Sequence, residues 1–499
     1  MGVRFNRPVL LSKEIAMVEV PLLIGNAERP ASSGATFTRE NPISGEVVTR
    51  AAAATREDAA DAVAAASAAF PAWSAVGPGE RRARLLRAAD LLEGRAAEFS
   101  AVMTAETGAT AGWAYFNVHL ATGMLREAAA MTSQISGEVI PSDIPENFSM
   151  AIRQPVGVVL GIAPWNAPVI LGVRAVAMPL ACGNTVVLKS SELCPATQGL
   201  IGVVLREAGF GDGVVNVLSN DPADAASVVE ALIADRGVRR VNFTGSTRVG
   251  RIVADIAARH LKPVLLELGG KAPFVVLDDA NLDDAVNAAA FGAFANQGQI
   301  CMSTERILVD EKIADKFARK FAAKVASLPW GDPRNGEVVL GSVVSSEAAD
   351  RVRRLVKDAV ARGAELLTGS SGEGTIMQAM VLDHVKPDME IFREESFGPS
   401  VSITRFQTVD EAVRLANDTE FGLAAAVFGR DIARAINVAR RIDSGICHIN
   451  GPTVHDEAQM PFGGVKSSGY GRFGGKAAIN EFTNLRWITI QTGPRHYPF

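Results

Sequence analysis

The sequence predicts an α/β fold with more than one domain, and three observations support this prediction. With 499 residues, the chain exceeds what one hydrophobic core usually supports. Between Met150 and Gly269, short Val-rich runs alternate with helical stretches, and a second α/β series follows. Such continuous apolar runs suit strands buried on both faces of a parallel sheet. The alternation predicts a doubly wound domain whose ligands bind beyond the carboxyl ends of the strands.

The N-terminal stretch is predicted to be mostly helical. Thr55 followed by Asp58 resembles a capping box ahead of the Ala-rich run 59–70. Two further helices are expected over 80–107 and 114–133. None of these helices carries a chemical motif, so they are interpreted as amphipathic scaffold.

The two α/β series are predicted from apolar runs and helical periodicity. In the first series, strands are expected over 156–163, 185–188, 214–218, 238–243 and 264–268, and helices over 195–208, 223–234 and 249–260. In the second, strands are expected over 306–309, 401–406, 424–428 and 445–449, and helices over 282–294, 312–327, 352–362, 411–417 and 431–442. The Gly-rich segment 462–475 is predicted to be a loop, and 484–491 a last strand that pairs with another subunit.

The charge and the cysteines of the chain indicate which partners and which cellular location to expect. The net charge is −5, and Lys and Arg are scattered, so neither nucleic acid nor an anionic membrane is an expected partner. The start of the chain lacks a signal-peptide core, and no apolar run has the length of a membrane span. The four cysteines show neither Cys-x-x-Cys pairing nor disulfide spacing, so a reducing cytoplasm is the expected location. No metal site is expected.

Cys301 follows an Ala-rich helical run and a turn, 294–300, that is rich in Gly and side-chain amides. A buried cysteine is usually only a small hydrophobic residue. A chemical role for Cys301 therefore depends on what the rest of the chain supplies.

Two motifs follow predicted strands and suit a dinucleotide. The segment 243–250, which contains Gly245, Ser246 and Gly250, is predicted to begin a helix. The N–H groups at the start of such a helix suit a phosphate group. The alternative is that the glycines only form a turn between a strand and a helix. Lys189 and Glu192 follow another strand, where a carboxylate would bind ribose hydroxyls and repel a 2′-phosphate. The alternative for this pair is a solvated loop.

Glu267 and Asn166 are two further candidates for chemistry. Glu267 lies inside an apolar strand, where burial would raise its pKa toward that of a general base, and a structural salt bridge is the alternative. Asn166 lies between Pro164 and Pro168 and suits either an amide donor to an oxyanion or the cap of the following helix. From spacing alone, the helix cap is the preferred interpretation.

Taken together and in this order, these motifs resemble the aldehyde dehydrogenase superfamily over about residues 23–491. The resemblance rests on Pro164-Trp165-Asn166, Lys189 and Glu192, the segment 245–250, Glu267 to Lys271, Asn296 to Cys301, Glu394 to Pro399 and Pro461 to Gly464. It implies a Rossmann-type cofactor domain over 1–135 and 155–266, an α/β catalytic domain over 267–470, and a small β oligomerisation element over 136–154 and 471–499. A homodimer or homotetramer is also implied.

The resemblance implies roles for individual residues. Cys301 would be the nucleophile that forms a thiohemiacetal and then a thioester, Glu267 the base, and Asn166 a donor to the oxyanion. NAD is the implied cofactor and NADP the alternative. The implied cofactor-binding residues are Ile162, Ala163, Pro164, Trp165, Lys189, Ser191, Glu192, Gly245, Ser246, Gly250, Leu268, Gly269, Glu395 and Phe397.

Segments 154–157, 165–172 and 453–457 are similar to the aromatic-aldehyde branch of the family, to which salicylaldehyde and vanillin dehydrogenases belong. The expected substrate is therefore an aromatic, hydroxylated aldehyde. Arg174 is a candidate to contact a ring hydroxyl, phenolate or carboxylate, and a surface arginine in a salt bridge is the alternative. Other candidate tunnel residues are Ile170, Tyr115, Asn117, Ile300, Met302, His455 and Phe462.

Other functions remain open at this point. An aliphatic or semialdehyde dehydrogenase would use Arg174 to hold a distal carboxylate. A CoA-acylating enzyme is disfavoured because the chain retains Glu267, the base for hydrolysis. A non-catalytic binding protein is disfavoured because the chain retains Cys301, Glu267 and Asn166. A thiol hydrolase lacks an identifiable His partner for Cys301.

Overall fold

The computed structural model describes residues 17–499, and the expectation about a targeting signal at the start of the chain lies outside the described residues. The N-terminal part contains seven strands and four helices. In chain order they are β1 Val18–Val20, β2 Leu22–Ile24, β3 Ala27–Arg29, β4 Thr36–Glu40, β5 Val47–Ala52, α1 Arg56–Ser74, α2 Pro78–Gly94, α3 Ala96–Thr107, α4 Ala111–Met131, β6 Glu138–Ile140 and β7 Asn147–Pro155.

The first α/β series follows, with the predicted alternation confirmed. Its elements are β8 Val158–Ile162, α5 Pro168–Ala181, β9 Thr185–Lys189, α6 Pro195–Glu207, β10 Val215–Leu218, α7 Ala225–Ala234, β11 Val238–Thr244, α8 Thr247–Arg259 and β12 Val264–Glu267.

The second series and the C-terminal part complete the chain. Their elements are β13 Ala272–Val276, α9 Leu282–Phe294, β14 Thr304–Asp310, α10 Glu311–Ala326, α11 Ser346–Ala361, β15 Glu365–Thr368, β16 Met380–Asp383, α12 Glu390–Arg393, β17 Ser400–Phe406, α13 Val409–Asn417, β18 Ala424–Phe428, α14 Ile432–Ala439, β19 Ile446–Ile449, β20 Gly469–Tyr470, α15 Gly475–Phe482 and β21 Thr483–Gln491.

The first large sheet has the strand order β20-β12-β11-β8-β9-β10-β2-β3, and its five central strands are parallel. The chain runs from β8 through β9 to β10 and then returns to β11 on the other side of β8. The switch point therefore lies between β8 and β11, where an open parallel sheet forms its ligand crevice. Helices α5 and α6 pack on one face of the sheet, and α1, α7 and α8 on the other.

The second large sheet has the order β15-β16-β17-β14-β13-β18-β19 and is parallel except for the β15–β16 pair. Helices α9 and α10 cover one face, and α11, α13 and α14 cover the other. A third sheet, β21-β7-β6, is antiparallel, and β21 pairs with β7 over nine residues. Within residues 17–499, no helix has the length and hydropathy needed to cross a membrane.

Two predictions about local structure need correction, and several elements were not predicted. The first stretch is not mostly helical, because β1 to β5 occupy 18–52 as short strands that pair with one another or with β10. The helix predicted over 80–107 is two helices, because the chain leaves helical geometry at Arg95 after Gly94. Strand β13 was not predicted, although all five of its residues are buried in the second sheet.

The capping box at the start of α1 is confirmed. The Thr55 hydroxyl accepts from the Asp58 N–H at 3.3 Å, and the Asp58 carboxylate accepts from the Thr55 N–H at 3.0 Å. Asp58 also accepts from the Ser32 N–H, so the same buried carboxylate joins the helix to the N-terminal segment.

Candidate active site

Cys301 lies at the end of a tight turn between α9 and β14. Asn296 and Gln297 adopt left-handed backbone conformations, with φ of 48° and 56°, which non-glycine residues rarely adopt. Side-chain amides hold the turn: Asn296 Nδ2 donates to the Asn166 carbonyl at 3.0 Å, and Gln297 Nε2 donates to the Ser342 carbonyl at 2.8 Å. The turn is therefore rigid, and it presents a partly buried thiol.

The Glu267 motif lies directly against this turn. A Cβ added to Gly270 would collide with the Cys301 carbonyl oxygen, so only glycine allows the two backbones to approach this closely. This contact between Gly270 and Cys301 joins the end of the first sheet to the turn that carries Cys301.

Glu267 is the last residue of β12, and its side chain is 1% exposed. Neither of its carboxyl oxygens has a hydrogen-bond partner within residues 17–499. Burial raises the pKa of Glu267 to about 8, and the positive charges of Arg174 and Arg472 oppose this shift only in part. The alternative of a structural salt bridge is wrong for the described chain, and the expected pKa rise is supported.

The Cys301 thiol lies within electrostatic range of Glu267. Burial raises the pKa of Cys301, and the carboxylates of Glu267 and Glu395 raise it further, while Arg174 lowers it. The sulfur is therefore a thiol at neutral pH, and a base has to remove its proton before it can act as a nucleophile.

Asn166 does not cap a helix, so the interpretation preferred from spacing is wrong. The N-cap of α5 is Ala167, and no side chain supplies the cap hydrogen bond. Asn166 Nδ2 instead donates to the Gln299 carbonyl at 2.9 Å, two residues before Cys301. One of the two N–H groups of this amide remains for another acceptor.

Trp113 is a residue that the sequence did not single out. Its Nε1 donates to the Asn166 carbonyl at 3.0 Å, so α4 helps to fix the backbone of the amide donor. Trp113 lies in the first turn of α4, and no neighbouring motif marks it in the sequence.

The predicted cofactor residues from the first sheet meet at the switch point. Ile162 ends β8, and Ala163, Pro164 and Trp165 follow it; Lys189 ends β9 ahead of Ser191 and Glu192; Gly245 and Ser246 follow β11; Leu268 and Gly269 follow β12. Because these strands are parallel neighbours, their carboxyl ends share one edge of the sheet.

Local geometry at this edge fits a dinucleotide. Ser246 is the N-cap of α8, and its hydroxyl accepts from the Val249 N–H at 3.4 Å. Because α8 begins directly after β11, its N-terminus lies at this edge of the sheet, where its N–H groups suit phosphate. A Cβ at Gly250 would collide with the Leu268 side chain, so any larger residue there would force that side chain to move. Lys189 pairs with Glu192, whose carboxylate also accepts from Asn220 Nδ2 at 3.1 Å.

Glu395 and Phe397 reach the same region from the second sheet. Glu395 accepts from the Gly270 N–H at 2.8 Å, and burial together with the Glu305 carboxylate raises the pKa of Glu395 to about 7. Phe397 has a positive φ of 47°, and its ring meets Trp165 edge to face at 5.7 Å. The 395–397 loop thus lies between the two large sheets.

Arg174 is buried on α5, so the alternative of a surface arginine in a salt bridge is wrong about the surface position and right about the salt bridge. Its Nη2 forms an ion pair with Asp456, and its guanidinium lies 4.2 Å from the centre of the Phe462 ring. These three residues border a cleft together with Met124, Ala177 and Met178.

The other candidate substrate residues differ in their surroundings. Ile170, Ile300, Met302 and Phe462 are buried in one apolar cluster. Asn117 is also buried, but its amide joins α4 to α5, donating to the Trp113 carbonyl at 3.0 Å and accepting from the Ile170 N–H at 3.5 Å. His455 is exposed and hydrogen-bonds to Glu457, and Tyr115 is half-buried on α4. The structure therefore groups the apolar candidates and leaves His455 outside.

Comparisons with known proteins agree with this geometry. The model of the aldehyde dehydrogenase family matches residues 29–488. The chain is 66% identical over 482 residues to vanillin dehydrogenase of Pseudomonas sp. (strain HR199 / DSM 7063), covering 97% of this chain and 100% of that protein. It is 40% identical over 461 residues to the NAD(+) benzaldehyde dehydrogenase of Pseudomonas putida, covering 92% and 94% of the two chains.

Among solved structures, the chain is similar to a salicylaldehyde dehydrogenase from Pseudomonas putida G7 complexed with salicylaldehyde. The TM-score is 0.95 at 50% sequence identity, and the match covers 97% of this chain and 100% of that one. The overall fold of the two chains is therefore the same.

Proposed function

This chain belongs to the aldehyde dehydrogenase family, and from that premise we propose that it oxidises an aromatic aldehyde to the carboxylic acid with NAD as the acceptor. The observation that carries the proposal is the buried carboxyl group of Glu267, which has no hydrogen-bond partner in the described part of the chain and lies within electrostatic range of the Cys301 thiol. Similarity to vanillin, benzaldehyde and salicylaldehyde dehydrogenases supports the aromatic substrate.

Cys301 is the nucleophile in this proposal. Glu267 removes the thiol proton, the sulfur bonds to the aldehyde carbon, and the carbonyl oxygen becomes an oxyanion. The remaining N–H of Asn166 and the backbone N–H of Cys301 stabilise that oxyanion. Removing one such donor typically costs about 10²–10³ in kcat. Glu267 then passes the thiol proton to solvent. After oxidation, it removes a proton from the water that attacks the thioester; the C–S bond breaks, the acid is released, and the Cys301 sulfur takes back a proton.

Members of this family use NAD or NADP, and the residues at the switch point fit such a group. Bound NAD would supply the hydride acceptor for the oxidation. Ser246 and the N-terminus of α8 would hold the pyrophosphate, and Lys189 and Glu192 the adenosine ribose. Because the Glu192 carboxylate repels a 2′-phosphate, NADP should support slower turnover. Glu395 and Phe397 would contact the nicotinamide half.

Arg174 is proposed to recognise a ring hydroxyl. Within residues 17–499, only its Nη2 donates to another residue, so Nε and Nη1 are available to a phenolic oxygen. Ile170, Ile300, Met302 and Phe462 supply apolar surface for the ring. Tyr115, Asn117 and His455 remain weaker candidates, since Asn117 is committed to the α4–α5 contact and His455 to Glu457.

The two large sheets and the β21-β7-β6 sheet support separate functions for different parts of the chain. We assign cofactor binding to 1–135 and 155–266, catalysis to 267–470, and self-association to 136–154 and 471–499. Exposed apolar side chains on the third sheet support a homodimer or homotetramer. Four free cysteines support a cytoplasmic location.

A panel of aldehydes tests this proposal. NADH formation should be measured with benzaldehyde, salicylaldehyde, vanillin, protocatechualdehyde and succinic semialdehyde. We expect the aromatic aldehydes to give kcat/KM values at least about tenfold above succinic semialdehyde, a difference of about 1.4 kcal/mol. NADH formation with none of them, or a preference for the semialdehyde, would overturn the proposal.

A further inference from the structure

Arg174 and Asp456 form an ion pair that is almost entirely out of solvent, with side-chain exposures of 6% and 9%. Arg174 is further fixed by aromatic rings, since its guanidinium lies 4.2 Å from the centre of Phe462 and 5.8 Å from that of Phe473. Asp456 comes from the loop after β19, and 282 positions separate it from Arg174. The arginine proposed to face the substrate is therefore already charge-compensated by the protein.

We propose that Asp456 determines the charge of the substrate: by neutralising Arg174, it makes the site select uncharged aromatic aldehydes and reject those that carry a carboxylate. This inference rests on the proposed function and names a specificity-determining residue for it.

The local charges support this selection. Arg174 and Asp456 cancel, so they leave no net positive charge for an anionic substituent. Arg472, the other arginine near Glu267, donates to the backbone carbonyls of Gly464 and Gly471 at 2.8 and 2.6 Å. A carboxylate beside the Arg174–Asp456 pair would lose its hydration without gaining an uncompensated cation from that pair, and Nη1 of Arg472 is already committed to two carbonyls, so its entry is unfavourable.

An uncharged phenol meets different conditions at the same pair. Its oxygen can accept from the free N–H groups of Arg174, and its O–H can donate to the Asp456 carboxylate. Both partners are held in place before the substrate arrives, because the ion pair and the Phe462 ring restrict the guanidinium. The Arg174–Asp456 pair thus forms hydrogen bonds with a hydroxyl group of the substrate but does not stabilise a negatively charged substituent.

The first experiment compares substrates on the unaltered protein. Values of kcat/KM should be measured for the three carboxybenzaldehydes, their methyl esters and benzaldehyde. We expect each methyl ester to exceed its acid by at least about tenfold, because the two differ mainly in charge. Equal values for acids and esters would overturn the inference, whereas absence of activity on every aldehyde would overturn the proposed function and the inference with it.

The second experiment removes the compensating charge. In Asp456→Asn, the ratio of kcat/KM for the carboxybenzaldehydes to that for benzaldehyde should rise at least about tenfold, since Arg174 is then unpaired. Glu457→Gln is the matched control: it removes the same charge one residue away from a half-exposed side chain paired with His455, and should change the ratio less than about threefold.

A double variant tests whether the effect of Asp456→Asn comes from the unpaired charge of Arg174 or from a change in the shape of the site. Arg174→Gln combined with Asp456→Asn removes both charges, and the gain on carboxybenzaldehydes seen in Asp456→Asn should disappear. A gain that persists in the double variant, or a folded and active Asp456→Asn with an unchanged ratio, would overturn the inference. If Asp456→Asn does not fold, the comparison of acids with esters decides the question on the parent protein.

Discussion

Glu267 ends β12 with a carboxyl group that lies out of solvent and, within residues 17–499, accepts no hydrogen bond. Because burial raises its pKa to about 8, the group is mostly protonated at neutral pH and becomes a base as the pH rises. A single buried side chain thus connects the pH dependence of catalysis with that of stability.

The pH dependence of turnover tests the catalytic role of Glu267. We expect kcat/KM for benzaldehyde to rise with pH and to level off above about pH 8, as the carboxylate forms. Glu267→Gln should lower kcat at least about 10²-fold and lose this rise. A Glu267→Gln variant with parental turnover and an unchanged pH profile would contradict the role of Glu267 as base.

The stability of the same variant tests the burial of the charge. The pKa of Glu267 is higher in the folded than in the unfolded chain, so the folded state loses stability as the pH rises toward about 8. Glu267→Gln cannot ionise, and its melting temperature relative to the parent should increase between about pH 5 and about pH 9. Glu420→Gln, at an exposed ion pair, is the control. A constant difference across this range would contradict the shifted pKa.

At the scale of elements, the 395–397 loop is held by a buried ion pair rather than by a helix or strand. Lys271 pairs with Glu305 of β14 and donates to the Ser396 hydroxyl at 3.1 Å. Glu305 in turn accepts from the N–H groups of Ser396 at 2.8 Å and Phe397 at 3.1 Å. The pair therefore fixes the loop that carries Glu395.

Removing one partner of this pair should be costly. Lys271→Met leaves the Glu305 carboxylate buried without its cation, and we expect a loss of about 3–5 kcal/mol in the free energy of unfolding. Arg251→Met, at the exposed pair with Glu420, should cost at most about 1 kcal/mol. Denaturant unfolding of both variants provides the comparison, and equal losses would contradict a structural role for the Lys271–Glu305 pair.

Elements with strong local signals were the ones that sequence could predict. Helix α9 has the predicted bounds because Asn281 caps its start and the amide-rich turn follows its end. Strands β1 to β5 were missed because they are short, and β2 also depends on a partner far away in sequence, β10. The role of Asn166 was misread as a cap because its partner, the Gln299 carbonyl, lies 133 positions away.

In the candidate site, too, residues in local motifs could be predicted from the sequence, whereas contacts between distant segments could not. Cys301, Glu267 and the glycines around them are marked by motifs, because close backbone contacts such as Gly270 against Cys301 require particular residues. The Arg174–Asp456 pair and the Trp113 hydrogen bond carry no local signal, since they arise only when distant segments pack together.

At the scale of the whole molecule, the third sheet leaves apolar surface exposed. Strand β21 forms one edge of this sheet, and Leu485 and Trp487 on it are 63% and 74% exposed. Val139 on β6 at the opposite edge is also exposed. Long apolar edge strands pair readily with other chains, so this sheet is the proposed surface for self-association.

Substitutions on β21 test that surface. Leu485→Lys with Trp487→Lys should shift the sedimentation coefficient toward that of a smaller species, because two lysines oppose burial of the strand. Leu261→Lys changes a similarly exposed apolar residue outside the third sheet and is the control. An unchanged sedimentation coefficient in the β21 variant would contradict the assignment.

In the proposed mechanism Cys301 is the nucleophile, and the rate of NADH formation by Cys301→Ala tests this role. Cys447→Ala is the matched control, since Cys447 is the other partly buried cysteine. With vanillin and NAD, we expect Cys301→Ala to lose at least about 10³-fold of the parental rate, while Cys447→Ala retains that rate. NADH formation by Cys301→Ala at the parental rate would contradict this role.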